Sequence, residues 1–257
     1  MTLPSFLDLP ARPPKPREAG ITHILDKGTT VGALSGMLDV AAAYLDVWKF
    51  GWGTAYVDPT LAPKLALLDR YGISACLGGT LLEIAWAQNR ADDCLAWAQA
   101  TGFTAVEVSR GVAAMPVADK HALIRQAAQV FTVFAEVGRK DAQEELSEKE
   151  WIDEISGDRS AGARWVIAEG RDSGSVGLYR SDGSVRTDIV AAAVAAAGVE
   201  GVLFEAPRKD QQAWFIHEFG PDVNLANING NDAIALETLR LGLRADTFGL
   251  SRQWLPI

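Results

Sequence analysis

Two cysteines, three histidines and four tyrosines are all that 257 residues hold of those types. Cys76 and Cys94 lack the CxxC spacing and have no histidine cluster beside them. That excludes a disulfide scaffold and a thiolate zinc site, and it fits a reducing, cytoplasmic setting. His23, His121 and His217 form no HxH or HExxH pair, which argues against histidine-bound metal. Basic residues are outnumbered 24 to 33, for a net charge of −9. A chain so acidic is ill suited to a phosphate backbone, so no nucleic-acid partner is expected. No apolar run approaches the ~18 residues of a membrane span. Prolines interrupt the first twenty residues, and neither an h-region nor any other targeting signal is visible there. Residues 1–20 are expected to form a Pro-rich arm lying across the domain or a neighbouring subunit, and residues 21–257 a single domain.

What is present is a repeating alternation. Short apolar runs bounded by glycine or polar residues predict strands at Ile21–Asp26, Leu45–Phe50, Ile73–Leu77, Ala105–Ser109, Thr132–Glu136, Trp165–Glu169, Gly201–Glu205 and Val223–Asn227. Between them, apolar residues at i, i+3, i+4 predict helices at Leu61–Tyr71, Ala91–Thr101, Ala118–Val130, Trp151–Ala161, Asp188–Ala197, Gln211–Phe219 and Asp232–Leu243. Gly72, Gly102, Gly198 and Gly220 are placed as helix stops. Eight βα units close into a (β/α)₈ TIM barrel of the α/β class. The competing architecture, an open doubly wound sheet, would usually carry GxGxxG after its first strand, where this chain has Asp26-Lys27-Gly28.

In such a barrel the C-terminal strand ends line the active site. Here those ends carry Asp26, Lys27, Lys49, Glu107, Ser109, Glu136, Arg139, Lys140, Glu169, Arg171, Glu205, Asn224 and Asn227. Carboxylates at four successive strand ends, Glu107, Glu136, Glu169 and Glu205, require cations close by. Lysines and arginines of the rim supply them, and so would a hard divalent metal; a structural ring of ion pairs is the non-catalytic alternative. In an acidic protein, Lys27, Lys49, Lys140 and Arg171 are a local device for holding anions. Glycine-rich turns at Gly51–Thr54, Gly78–Thr80 and Arg171–Gly174 would let backbone N–H groups approach such an anion. Thr80-Leu81-Leu82-Glu83 also reads as a helix capping box. His23 is expected as a hydrogen-bonded residue of the barrel wall, and 141–150 as an acidic lid or helix start.

The strings Leu25–Gly28, Lys49–Thr54, Gly78–Leu81, Ala105–Ser109, Glu136–Lys140, Glu169–Gly174, Phe204–Pro207, Asn224–Asn227 and Leu239–Gly249 together resemble the phosphosulfolactate synthase family. The resemblance runs from about Ile21 to Gly249. It implies a (β/α)₈ barrel that adds sulfite to phosphoenolpyruvate with Mg²⁺, giving (2R)-phospho-3-sulfolactate on a route to coenzyme M. Under it, Lys140 is expected as proton donor, with Lys49 and Lys27 as further catalytic cations. Glu107, Glu136 and Glu169 are expected to hold Mg²⁺, with Glu205 in reserve. Arg171 with Ser173 and Gly174, helped by Arg208 or Lys209, is expected to bind substrate phosphate. The chain departs from the family pattern at Arg139, Arg110 and Arg208-Lys209, which stand where Lys, Asp and Gln are usual. A homo-oligomer is expected. The alternatives are a non-catalytic, stress-associated barrel and a related lyase for another phosphorylated enol acid.

Overall fold

The computed structural model describes residues 6–138, 146–171 and 173–249. Eight parallel strands close in sequence order. They are β1 Thr22–Asp26, β2 Val47–Phe50, β3 Ser74–Leu77, β4 Ala105–Val108, β5 Thr132–Val137, β6 Trp165–Ala168, β7 Val202–Glu205 and β8 Leu225–Ile228. Helices α1 Val31–Ala41, α2 Thr54–Val57, α3 Leu61–Arg70, α4 Gly79–Ala87 and α5 Ala91–Thr101 belong to the first half. Helices α6 Val117–Ala127, α7 Glu148–Ala161, α8 Thr187–Ala197, α9 Lys209–Phe219 and α10 Ala233–Arg240 complete the ring.

The strands read as apolar runs because both faces are covered. One set of alternate residues, with Ile24, Trp48, Val106, Ala135, Val166 and Phe204 among them, packs under the helices. The other set fills the barrel: Ile21, Val47, Cys76, Ala105, Phe134, Ile167, Leu203 and Ala226. Side chains two residues apart on a strand share a face. So Lys49, Glu107, Glu136, Glu169 and Glu205 stand directly above Val47, Ala105, Phe134, Ile167 and Leu203. Strand polarity and a period of two thus put a charged layer on top of an apolar plug.

Gly102, Gly198 and Gly220 cap helices as the sequence predicts, and Gly102 is left-handed at φ 104°. Two expectations change. Strand β8 begins at Leu225, and its pairing with β1 is irregular, Thr22 facing Leu225 and Ile24 facing Ile228. That shift leaves Asn224 at the N-terminal face, accepting from Ile21 N–H and donating to the Glu200 and Val202 carbonyls. Asn224 is therefore a closure of the barrel floor, away from the rim where the sequence placed it. His23 is fully buried in the barrel but neither ring nitrogen finds a partner among the described residues. Burial, reinforced by Lys49, holds its pKa well below the usual histidine value, so it is a neutral packing group edge-on to Phe134.

The described part of the arm, from Phe6 to Gly20, crosses the N-terminal face of the same domain. Arg12 donates to Glu237 at 3.1 Å, to Asp222 and to the Gly20 carbonyl, and Arg17 bonds Asp46 at 2.9 Å. Among the described residues no helix is long and apolar enough to cross a membrane.

Candidate active site

Lys49 is 4% exposed and sits at the centre of the charged layer. Its Nζ lies 2.8 Å from Glu107 Oε2 and 3.7 Å from Glu205 Oε1. Burial by itself would lower the lysine pKa, but Glu107, Glu205 and Glu136 outweigh it and raise it. Lys49 is thereby favoured as the cation of this layer, held by Glu107 and Glu205. Burial raises the pKa of Glu107 and of Glu205, in each case against the opposing pull of Lys49. Among the described residues three carboxylates lie around the Lys49 ammonium, an arrangement that favours a further cation or a proton.

Glu107, Glu205 and Glu169 are also anchored by backbone. Glu107 Oε1 accepts from Gly79 N–H at 3.0 Å, Glu205 Oε2 from Gly170 N–H at 2.8 Å, and Glu169 Oε1 from Arg171 N–H at 2.6 Å. Gly79 opens α4 with its backbone against this layer. A Cβ there would stand 2.4 Å from Ser109 Oγ and 3.1 Å from Glu107 Oε1. These side chains line a cavity of about 400 Å³, with Arg171, Trp52, Val112 and Asn227 at its walls. Arg171 adopts φ 57°.

A second cavity, of about 420 Å³, adjoins the first and shares Leu25 and Asn227 with it. It is bounded by Lys27, Gly28 and Thr29 after β1 and by Asn229, Gly230 and Asn231 after β8. The Lys27 ammonium lies 5.5 Å from the centroid of the Trp52 ring. Asp26 Oδ1 holds the turn by accepting from Gly28 and Thr29 N–H.

Of the residues expected from sequence, Lys49, Glu107, Glu136, Glu169 and Arg171 are brought to one cavity and Lys27 to its neighbour. Ser173, Gly174, Arg208 and Lys209 are not among the lining of either. Gly174 O accepts from Gln211 at 2.9 Å. Arg208 donates to the Gly183 carbonyl at 3.0 Å, and Lys209 pairs with Asp246 at 2.8 Å. Lys140, with Arg139, lies outside the described residues. Glu107 has both oxygens engaged, and among the described residues no group of three or more His, Cys, Asp or Glu side chains is arranged to hold a metal ion.

Sequence reading missed Glu83. The Thr-x-x-Glu string pointed to a capping box with Thr80 as N-cap, but α4 starts two residues earlier, with Gly78 as N-cap and no side-chain cap. Glu83 instead turns toward the loop after β4. It accepts from Ser109 Oγ and Gly111 N–H on Oε1, and from Val112 and Ala113 N–H on Oε2. This buried clamp holds Val112 at the cavity wall. Lys120 was also missed: fully buried, it bonds the Glu136 carbonyl at 2.8 Å together with Glu154 and Asp158. A lysine at helical spacing carries no sequence signal for such a role.

A sequence model of the (2R)-phospho-3-sulfolactate synthase (ComA) family matches residues 10–246. A phosphosulfolactate synthase of Bacillus subtilis (strain 168) is 40% identical over 247 residues, 95% of this chain and 98% of that protein. A phosphosulfolactate synthase of Methanocaldococcus jannaschii is 40% identical over 238 residues, 90% of this chain and 95% of that one. Among solved structures, a 3-hexulose-6-phosphate synthase superposes with a TM-score of 0.53 at 16% identity, covering 86% of this chain and 95% of its own. That likeness is one of fold. The family match spans the whole barrel and the relatives align nearly end to end, so the chain belongs to the (2R)-phospho-3-sulfolactate synthase family.

Proposed function

We propose that the protein is a carbon–sulfur lyase that joins sulfite to phosphoenolpyruvate, forming (2R)-phospho-3-sulfolactate. Family membership supports the substrates, and the observation that carries the chemistry is Lys49 fixed as a cation among Glu107, Glu205 and Glu136 at the barrel mouth. The sulfite sulfur lone pair forms a bond to the methylene carbon. The carbon–carbon π electrons move onto the carboxylate, giving an aci-carboxylate, and a proton is then added to the carbon bearing the phosphoryl oxygen. Lys49 and Arg171 stabilise the negative charge that develops on the carboxylate, in a cavity whose walls limit screening by water. Lys49 is committed to its ion pairs with Glu107 and Glu205, so we assign the acid to Lys140, four positions past Glu136.

The donor type suits Mg²⁺, though among the described residues no three of these carboxylates converge on one point. It is all oxygen, it is rich in buried negative charge, and Mg²⁺ is commonly held by one or two carboxylates with water and substrate oxygens completing its shell. Glu136 and Glu169 would hold it, while Glu107, engaged by Lys49 and Gly79, acts as the counter-ion of Lys49. When bound, the ion supplies positive charge beside the substrate carboxylate. The test is to mix protein, phosphoenolpyruvate, sulfite and Mg²⁺ and follow phosphorus NMR. A new phosphoester resonance that requires sulfite is expected, and its absence would sink this reading.

A further inference from the structure

We infer that the cavity between the β1 and β8 loops is the compartment for a phosphate monoester group, separate from the carboxylate-rich compartment around Lys49. This deepens the reading above and rests on it for the identity of the substrate. The first support is a contrast in charge. Four glutamates line the Lys49 cavity, whereas among the described residues no carboxylate lines the Lys27 cavity. A dianionic phosphoryl group set among four glutamates would be repelled; one set beside Lys27 and neutral amides would not.

The second support is a pair of stranded polar groups. Asn227 is 7% exposed and its Oδ1 has no hydrogen-bond partner among the described residues; Trp48 is fully buried and its Nε1–H has none among them either. Both residues line this cavity. Buried polar atoms without partners are rare and costly, and they mark places where a ligand completes the bonding. An indole N–H is only a donor, and with no network fixing it an asparagine amide can present its NH₂ end to an anion. Asn227 also adopts φ 55°, a left-handed conformation uncommon for a residue with a side chain.

The third support is connection. Leu25 and Asn227 line both cavities, so the two lie side by side, and on this inference one molecule with two anionic groups would place one in each. Phosphoenolpyruvate carries its phosphoryl oxygen and its carboxylate on the same carbon. Phosphoryl in the Lys27 compartment leaves the carboxylate and the methylene carbon facing Lys49, Arg171 and the glutamates. The loop after β8 is also where barrels of this class commonly receive phosphate. The assignment moves the phosphoryl group away from Arg171 and the Ser173–Gly174 turn, where the sequence had put it.

Calorimetric titration of the intact protein with inorganic phosphate and with phosphoenolpyruvate tests this. Lys27 is exposed and Asn227→Gly suits a left-handed position, so K27M and N227G should fold. Each is expected to weaken both ligands by ~10-fold or more, the scale of a lost hydrogen bond to a charged group. R171M should weaken phosphoenolpyruvate while leaving inorganic phosphate within about twofold, because no phosphate contact is removed. Loss of phosphate binding in R171M with K27M unaffected would overturn the assignment, as would a wild-type protein that binds neither ligand. Binding that depends on Lys27 in a protein that makes no phosphoester from sulfite would uphold the compartment and discard the reaction.

Discussion

Lys49 Nζ and Glu107 Oε2 meet at 2.8 Å inside the barrel, joining β2 to β4 at the level where the apolar plug ends. This pair sets the charge of the mouth. Lys49→Met would leave Glu107, Glu205 and Glu136 without their shared cation. The expected loss is roughly 3–5 kcal/mol of stability near neutral pH, as for a broken buried ion pair. The folded-state pKa values of Glu107 and Glu205 are raised, so acid favours the folded form for these groups. Thermal melts should therefore show the gap between K49M and wild type narrowing as pH falls below neutral. A gap that widens would contradict the charge account.

The proton donor separates from the binding cations by kinetics. Lys140→Met should lower kcat by ~10²-fold or more with KM little changed, as for a lost general acid. An effect confined to KM would make Lys140 an anion-binding residue and leave the acid to be found.

Metal dependence should sort the glutamates. Chelation is expected to abolish turnover and added Mg²⁺ to restore it. Glu136→Gln and Glu169→Gln should raise the Mg²⁺ concentration needed for half-maximal rate by ~10-fold or more, the scale of a lost charged ligand. Glu107→Gln should lower kcat without that shift. Turnover in a chelator, with all three variants unchanged in Mg²⁺ response, would remove the metal from the mechanism.

The Glu83 clamp predicts a local effect. Glu83→Ala strips the acceptors from Gly111, Val112 and Ala113 N–H, at a cost of roughly 2–3 kcal/mol. Hydrogen exchange should speed at those amides and leave the β-strands protected. Glu83→Gln, which retains one carbonyl acceptor, should be intermediate. Uniform loss of protection across the barrel would mean a global role.

Glu154 couples stability to acid. Burial pushes its pKa up, but the paired hydrogen bonds from Arg110, at 2.9 and 2.8 Å, and the charge of Lys120 outweigh that and hold it at about 2. A depressed carboxylate stabilises the fold above its unfolded pKa and loses that contribution as pH falls towards the folded value. Glu154→Gln should cost about 3 kcal/mol at pH 7, from a shift of that size. The difference should shrink as pH falls from about 4.5 to about 2, the window between the two pKa values. Denaturant melts across that range measure it.

The architecture and the composition of the charged layer were legible in the chain alone. Short apolar strands alternating with amphipathic helices encode a closed parallel barrel, because both strand faces must be buried and each crossover needs a helix. Glu107, Glu136, Glu169 and Glu205 were legible as one set because each stands two residues above an inward apolar side chain, a local period any reader of the chain can count. How that layer is shared out was set by the folded barrel. Glu107 becomes the partner of Lys49, 58 residues away, and Glu83 the partner of amides 28 to 30 residues on. Asn224 and Asn227 are three positions apart, yet one closes the floor and the other lines the mouth. The division into a carboxylate-rich cavity and one that no carboxylate of the described residues lines was invisible too, since it arises where loops after β1 and β8 close side by side. Pattern along a chain reports which face a side chain takes; which group it meets there depends on barrel closure and strand register, and those bring together residues with no local signal of each other.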